Sequence, residues 1–150
     1  EQVRGFGLGV MHARAEYYAR TEGVSPESLR VYGPHGNGLV IANAPNAGYD
    51  AALSRTLTHK AETANLFVRS LGYKPYLAPG LSSAAVSVLR AMWGEWHDAA
   101  VPLGGVYFGC RAKRGAHGPE IRREGLNPEL AERIAESYRK LEEFNEKWAD

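Results

Sequence analysis

A single cysteine, Cys110, stands among the 150 residues, so no disulfide within the chain can staple it. A reducing, cytoplasmic setting is the expectation. No apolar run approaches the ~18 residues that a membrane-spanning helix requires, and no signal peptide is visible. An excess of either charge is missing as well: 18 basic residues face 17 acidic ones, for a formal net charge of +1. That balance argues against nucleic acid as a partner, which calls for a basic stripe or cluster. The densest basic stretch, Arg111-Ala112-Lys113-Arg114, is short and runs into a glycine-rich turn, so it reads as a solvated hairpin tip. The histidines at 12, 35, 59, 97 and 117 show no metal-ligand spacing, and one cysteine cannot complete a zinc site, so no metal is expected. The chain opens on Glu1-Gln2-Val3-Arg4 without a methionine, which reads as a start inside a longer sequence.

What is present fits one compact domain over residues 1–150. Hydrophobic residues make up 44% and charged residues 23%, with no internal repeat, low-complexity tract or linker. A helix is predicted from Leu8 to Glu22, closed by Gly23, then a turn at Val24-Ser25-Pro26-Glu27. Short strands are expected at Leu29 to Tyr32 and Leu39 to Ile41, with the loop Gly33-Pro34-His35-Gly36-Asn37-Gly38 between them. Tyr49, Leu53, Leu57, Ala61, Ala64, Val68 and Leu71 recur at spacings of three and four and predict a long helix with one apolar stripe. A third helix carries Leu81, Ala85, Val88 and Met92 on one face. Ala100 to Phe108 and Cys110 to Lys113 read as extended, with a turn at 115–119 and a returning strand at Ile121 to Arg123. Asn127 and Pro128 open a last helix whose stripe is Leu130, Ile134, Tyr138, Leu141 and Trp148. Helices mixed with a few short strands make the fold class α+β.

Two glycine- and serine-containing stretches invite chemistry that their neighbours deny. Gly5-Phe6-Gly7-Leu8-Gly9-Val10 lacks the preceding strand and the third glycine of a dinucleotide-binding turn, and reads as a tight entry to the first helix. Pro79-Gly80-Leu81-Ser82-Ser83-Ala84 lacks the second glycine and the strand of a nucleophile elbow, so its serines are helix N-terminal residues. His35 differs. Its neighbours Gly33, Pro34, Gly36 and Gly38 deny it an apolar pocket, and an imidazole on such a loop can reach a ligand and titrate near neutrality. Composition alone leaves that role beside the plainer one of a surface histidine.

The order of several short motifs resembles the C-terminal, substrate-binding domain of the malate and lactate dehydrogenases, as a divergent member. Residues 1–14, Glu-Gln-Val-Arg-Gly-Phe-Gly-Leu-Gly-Val-Met-His-Ala-Arg, are similar to that family's "(R)VIG-x-x-x-x-LDSAR" opening. Gly23-Val24-Ser25-Pro26 is similar to its GVSP turn, Gly33-Pro34-His35-Gly36 to its G-x-H-G loop, and Ala78-Pro79-Gly80-Leu81-Ser82 to its AIGLS segment. The stretch from Gly118 to Phe144 resembles its closing strand and helix.

The resemblance implies a lactate/malate dehydrogenase C-terminal domain fold, with long helices on short, largely antiparallel strands. It implies that His35 exchanges the proton of a 2-hydroxy/2-oxo acid and that Arg14 grips the acid's carboxylate. NAD or NADP would be bound mainly by an N-terminal Rossmann domain that this chain lacks, supplied in cis or in trans. Homo-oligomerisation is implied too, and the isolated chain is expected to be inactive. Met11 falls where the family has the aspartate that orients its histidine, and Tyr73-Lys74-Pro75-Tyr76 replaces small hydroxyl residues. Those departures support an alternative: a non-catalytic relative serving as a small-acid-binding or oligomerisation module.

Overall fold

The structure is a computed structural model and describes residues 7–74 and 82–148. Its elements run α1 (Gly7–Thr21), β1 (Arg30–Tyr32), β2 (Val40–Ala42), α2 (Ala51–Ser70), α3 (Ala84–Trp93), β3 (His97–Leu103), β4 (Val106–Arg114), β5 (Pro119–Ile121) and α4 (Pro128–Lys147). Residues Glu1 to Phe6 of the predicted entry segment, and the stretch from Pro75 to Leu81, lie outside the described residues.

β1 and β2 pair antiparallel with Val31 opposite Ile41, and β3, β4 and β5 form a second antiparallel sheet. One bridge joins the two. Gly33 and Gly109 exchange both backbone hydrogen bonds at 3.1 Å, which carries the end of β1 onto β4. A Cβ on Gly109 would overlap the Gly33 carbonyl and the Leu8 side chain, so only glycine permits this approach.

The β1–β2 ribbon is buried on both faces, which explains why Val40-Ile41-Ala42 reads as apolar throughout rather than alternating. Val31, Leu39 and Ile41 join Leu8, Met11, Leu57 and Ala61 in a core under α1 and α2. Tyr32, Val40 and Ala42 join Phe108, Val106 and Leu130 in a second core under β4 and α4. Side chains alternate across the ribbon, so three-residue strands feed both cores. Helix α2 also completes the outer edge of β2: the Ser54 hydroxyl donates to the Ile41 carbonyl, and Thr58 Oγ1 accepts from the Ile41 N–H at 3.0 Å.

Helix caps follow the sequence closely. Asp50 accepts from the Leu53 N–H at 2.9 Å, and Asn127 accepts from Glu129 at 2.9 Å with Pro128 in the first turn. No described helix is long and apolar enough to cross a membrane.

Four expectations are corrected. Residues 100–108 are not one extended piece: Gly104 and Gly105, both at positive φ, turn the chain into a β3–β4 hairpin. Arg111-Ala112-Lys113-Arg114 lies within β4 and is no hairpin tip; Arg111 pairs with Asp98 across the sheet, and Ala112 is buried. On α3 the face bearing Ala85, Val88 and Met92 is exposed, and Ser87 is the residue that packs inward. The ends of two stripes, Leu71 on α2's side and Trp148 after α4, are also exposed. Periodicity identified these helices but could not say where each runs out of partner surface.

Candidate functional site

Helix α1 turns three faces to three environments. Leu8, Met11, Ala15 and Ala19 enter the core; Val10, Arg14 and Tyr17 face a cleft against α2; His12 meets the β3–β4 sheet. The spacing of three and four within each set is what one helical face requires.

The cleft has a volume of about 810 Å³. Val10, Ala13 and Tyr17 of α1 line one wall, Ala64, Phe67 and Val68 of α2 the other, and Tyr73, Lys74 and Ser83 close one end. Arg14 stands half-buried in it, with Nη1 donating to the Ala61 carbonyl at 3.2 Å. That neutral acceptor fixes the side chain without cancelling its charge. Among the described residues no carboxylate forms an ion pair with Arg14. The other half-buried cation, Lys60, is paired with Glu22 and lies 5.9 Å from the Tyr18 ring centre. Among the described residues no acidic side chain lines the cleft.

His35 sits exposed in the β1–β2 connection, between Gly33, Gly36 and Gly38, all at positive φ. Ser137 of α4 donates to the Gly38 carbonyl at 2.5 Å and pins the loop to the last helix. His35 is not among the residues lining the α1–α2 cleft, so Arg14 and His35 are held by separate parts of the fold. Met11 is 2% exposed and fills the core beneath α1. It offers no carboxylate to any neighbour.

Sequence reasoning passed over a buried polar cluster. The Nδ1 of His12 lies 2.6 Å from Oδ2 of Asp98, whose side chain is fully buried, and Arg111 Nη1 approaches the other carboxylate oxygen at 3.5 Å. Arg30 and Tyr32 complete the surroundings, Arg30 making a bidentate pair with Glu124 at 2.9–3.2 Å. Asp98 Oδ1, Arg111 Nε and the Tyr32 hydroxyl are buried without a hydrogen bond. Burial, and then nearby Glu124, raises the Tyr32 phenol well above its ordinary range. Burial, with Asp98 nearby, pushes the Cys110 thiol up to about 12. The one signal in the sequence was an aspartate standing in the apolar run His97-Asp98-Ala99-Ala100-Val101.

The described residues do not fit a dinucleotide cradle. Gly7 to Val10 are already the first turn of α1, and both sheets are antiparallel, so no strand–turn–helix of a parallel unit is formed. Nor do they contain a cluster of three metal-ligating side chains.

No family model matches the chain, and no curated protein does. Solved structures do. The malate dehydrogenase of Archaeoglobus fulgidus in complex with NADH superposes with a TM-score of 0.70 at 18% identity, over 95% of this chain and 51% of that one. A lactate dehydrogenase, MGS-M5, from a Medee basin deep-sea metagenome library gives 0.74 at 16% identity, over 99% and 55%. The malate dehydrogenase of Aeropyrum pernix gives 0.66 at 18% identity, over 97% and 54%. The α+β fold is that of the C-terminal domain of malate and lactate dehydrogenases, and the chain spans about half the length of the structures it matches.

Proposed function

We propose that this chain is the substrate-binding half of a 2-hydroxy-acid dehydrogenase of the malate/lactate type. The observation that carries the reading is Arg14: a half-buried guanidinium, anchored by a carbonyl, facing a cleft with no acidic side chain among its described lining residues. Such a group is poised for the carboxylate of a small acid, which it can hold through two parallel N–H donors. His35, on its glycine-rich loop, is the proposed proton donor and acceptor for the 2-oxo carbonyl and the 2-hydroxyl. Both are roles for the acid alone. The cofactor, NAD or NADP, is assigned to an N-terminal Rossmann half, in cis or in trans, because the residues described here do not build its cradle. The isolated chain is then inactive, and exposed Leu89, Met92 and Trp93 of α3 offer a surface for that half or for a second copy.

The test restores the upstream half and measures NADH oxidation against a panel of 2-oxo acids. Turnover is expected, with Arg14→Gln raising KM and His35→Asn abolishing kcat. Absence of turnover with every acid would overturn the reading.

Met11 favours a second reading. With a core methionine where the resemblance places an aspartate, the chain binds an acid without turning it over. Turnover lost on His35→Asn would exclude this alternative.

A further inference from the structure

We propose that the acid bound in the α1–α2 cleft carries a bulky aromatic side chain, as in phenylpyruvate or phenyllactate, rather than the short chain of malate or lactate. This rests on the reading of Arg14 as the carboxylate anchor and adds the class of substrate.

Size is the first argument. A cleft of about 810 Å³ lies within the ~300–1,000 Å³ typical of sites that enclose drug-sized ligands. A three- or four-carbon acid on Arg14 would leave most of that space to water. Chemistry is the second. Beyond Arg14 the walls between the two helices are largely apolar, with Val10, Ala13, Ala64 and Val68. Of the polar lining, Lys60 is already paired with Glu22, and Thr21, Asn65, Lys74 and Ser83 complete it. Four aromatic rings stand around the cleft, at Tyr17, Tyr18, Phe67 and Tyr73.

Exposure is the third. Tyr17 is 64%, Phe67 62% and Tyr73 68% exposed, so three rings at one cleft lie open to solvent. Tyr17 and Tyr18 already meet edge to face, with centroids 5.2 Å apart. Offset or edge-to-face stacking favours an aromatic guest over an alkyl chain of equal area. The head of the ligand is therefore anionic and its body aromatic.

Calorimetric titration of the 150-residue chain with phenyllactate, lactate and malate tests this, followed by kcat/KM for phenylpyruvate, pyruvate and oxaloacetate with the upstream half restored. Phenyllactate is expected to bind at least about tenfold more tightly than lactate or malate, a gain on the scale of one or two aromatic contacts. Phe67→Ser should weaken phenyllactate about tenfold, and Arg14→Gln should weaken it too. Tyr107→Ser, at an exposed ring outside the cleft, should change nothing. Tight phenyllactate binding without turnover of any 2-oxo acid supports the aromatic site and overturns the dehydrogenase reading. Turnover of pyruvate or oxaloacetate with no preference for the aromatic acid overturns the aromatic site alone. No binding and no turnover overturns both.

Discussion

His12 and Asp98 are 86 residues apart in sequence and meet at 2.6 Å, joining the helix that bears Arg14 to the sheet behind it. Asp98 faces Arg111 on its other side as a cross-strand partner in the β3–β4 register. Replacing Asp98 by alanine removes a fully buried carboxylate and leaves two cationic or polar side chains facing one another. Breaking a buried pair from one side costs about 3–5 kcal/mol. Asp98→Ala is expected to lower stability by that amount in urea denaturation, while His12→Gln costs about 1.5–3 kcal/mol, the value of one hydrogen bond to a charged group. Equal stability of Asp98→Ala and the parent chain would show that the cluster contributes nothing.

The Gly33–Gly109 bridge gives a second prediction. Alanine at 109 must push β4 away from β1 or displace Leu8, because its Cβ overlaps both the Gly33 carbonyl and that side chain. A loss of about 1–3 kcal/mol is expected from such overpacking, read as a fall in Tm of about 2–4 °C per kcal/mol for a chain of this size. Gly105→Ala is the control. Its φ is positive, unlike that of Gly109, but nothing lies within 4 Å of the added methyl, so only the backbone strain is felt.

These two features mark where the sequence stopped being legible. Helix α4 could be read from Asn127-Pro128 and its stripe because caps and periodicity are local. The α1 helix, its Gly23 terminus and the loop around His35 were legible for the same reason. Asp98, by contrast, gains its meaning from His12 and Arg111, and only the folded topology brings them together. The stripe on α2 was real but served two purposes: Leu57 and Ala61 enter the core, while Ala64 and Val68 line the cleft. A pattern of apolar residues cannot distinguish a wall facing a neighbour from a wall facing a ligand.

Alkaline pH should destabilise the chain through Cys110 and Tyr32. Burial raises both groups above their ordinary values, the thiol from 9.0 to about 12. The unfolded chain therefore loses those protons first. Their contribution to stability is complete below about pH 9 and disappears as pH rises toward 12. Denaturation midpoints measured from pH 7 to 11 are expected to fall, and Cys110→Ala should remove part of the slope. Native Cys110 should also resist iodoacetamide at pH 8.5 and react at an ordinary rate in urea; fast labelling of the native chain would contradict the burial argument.

Ser137 tests the proposed division of labour between Arg14 and His35. Its hydroxyl donates to the Gly38 carbonyl at 2.5 Å and ties the His35 loop to α4, while Arg14 is anchored separately by Ala61. Ser137→Ala leaves a part-buried carbonyl without this donor and should cost about 1 kcal/mol of stability. Its functional effect should be selective. The loop that carries the proposed proton donor loosens while the proposed carboxylate anchor is untouched, so on the dehydrogenase reading kcat should fall several-fold with KM little changed. Amide exchange at Gly38 and Leu39 should accelerate in the same variant. A rise in KM at constant kcat would instead place the loop in ground-state binding and remove the positional basis for assigning the proton to His35.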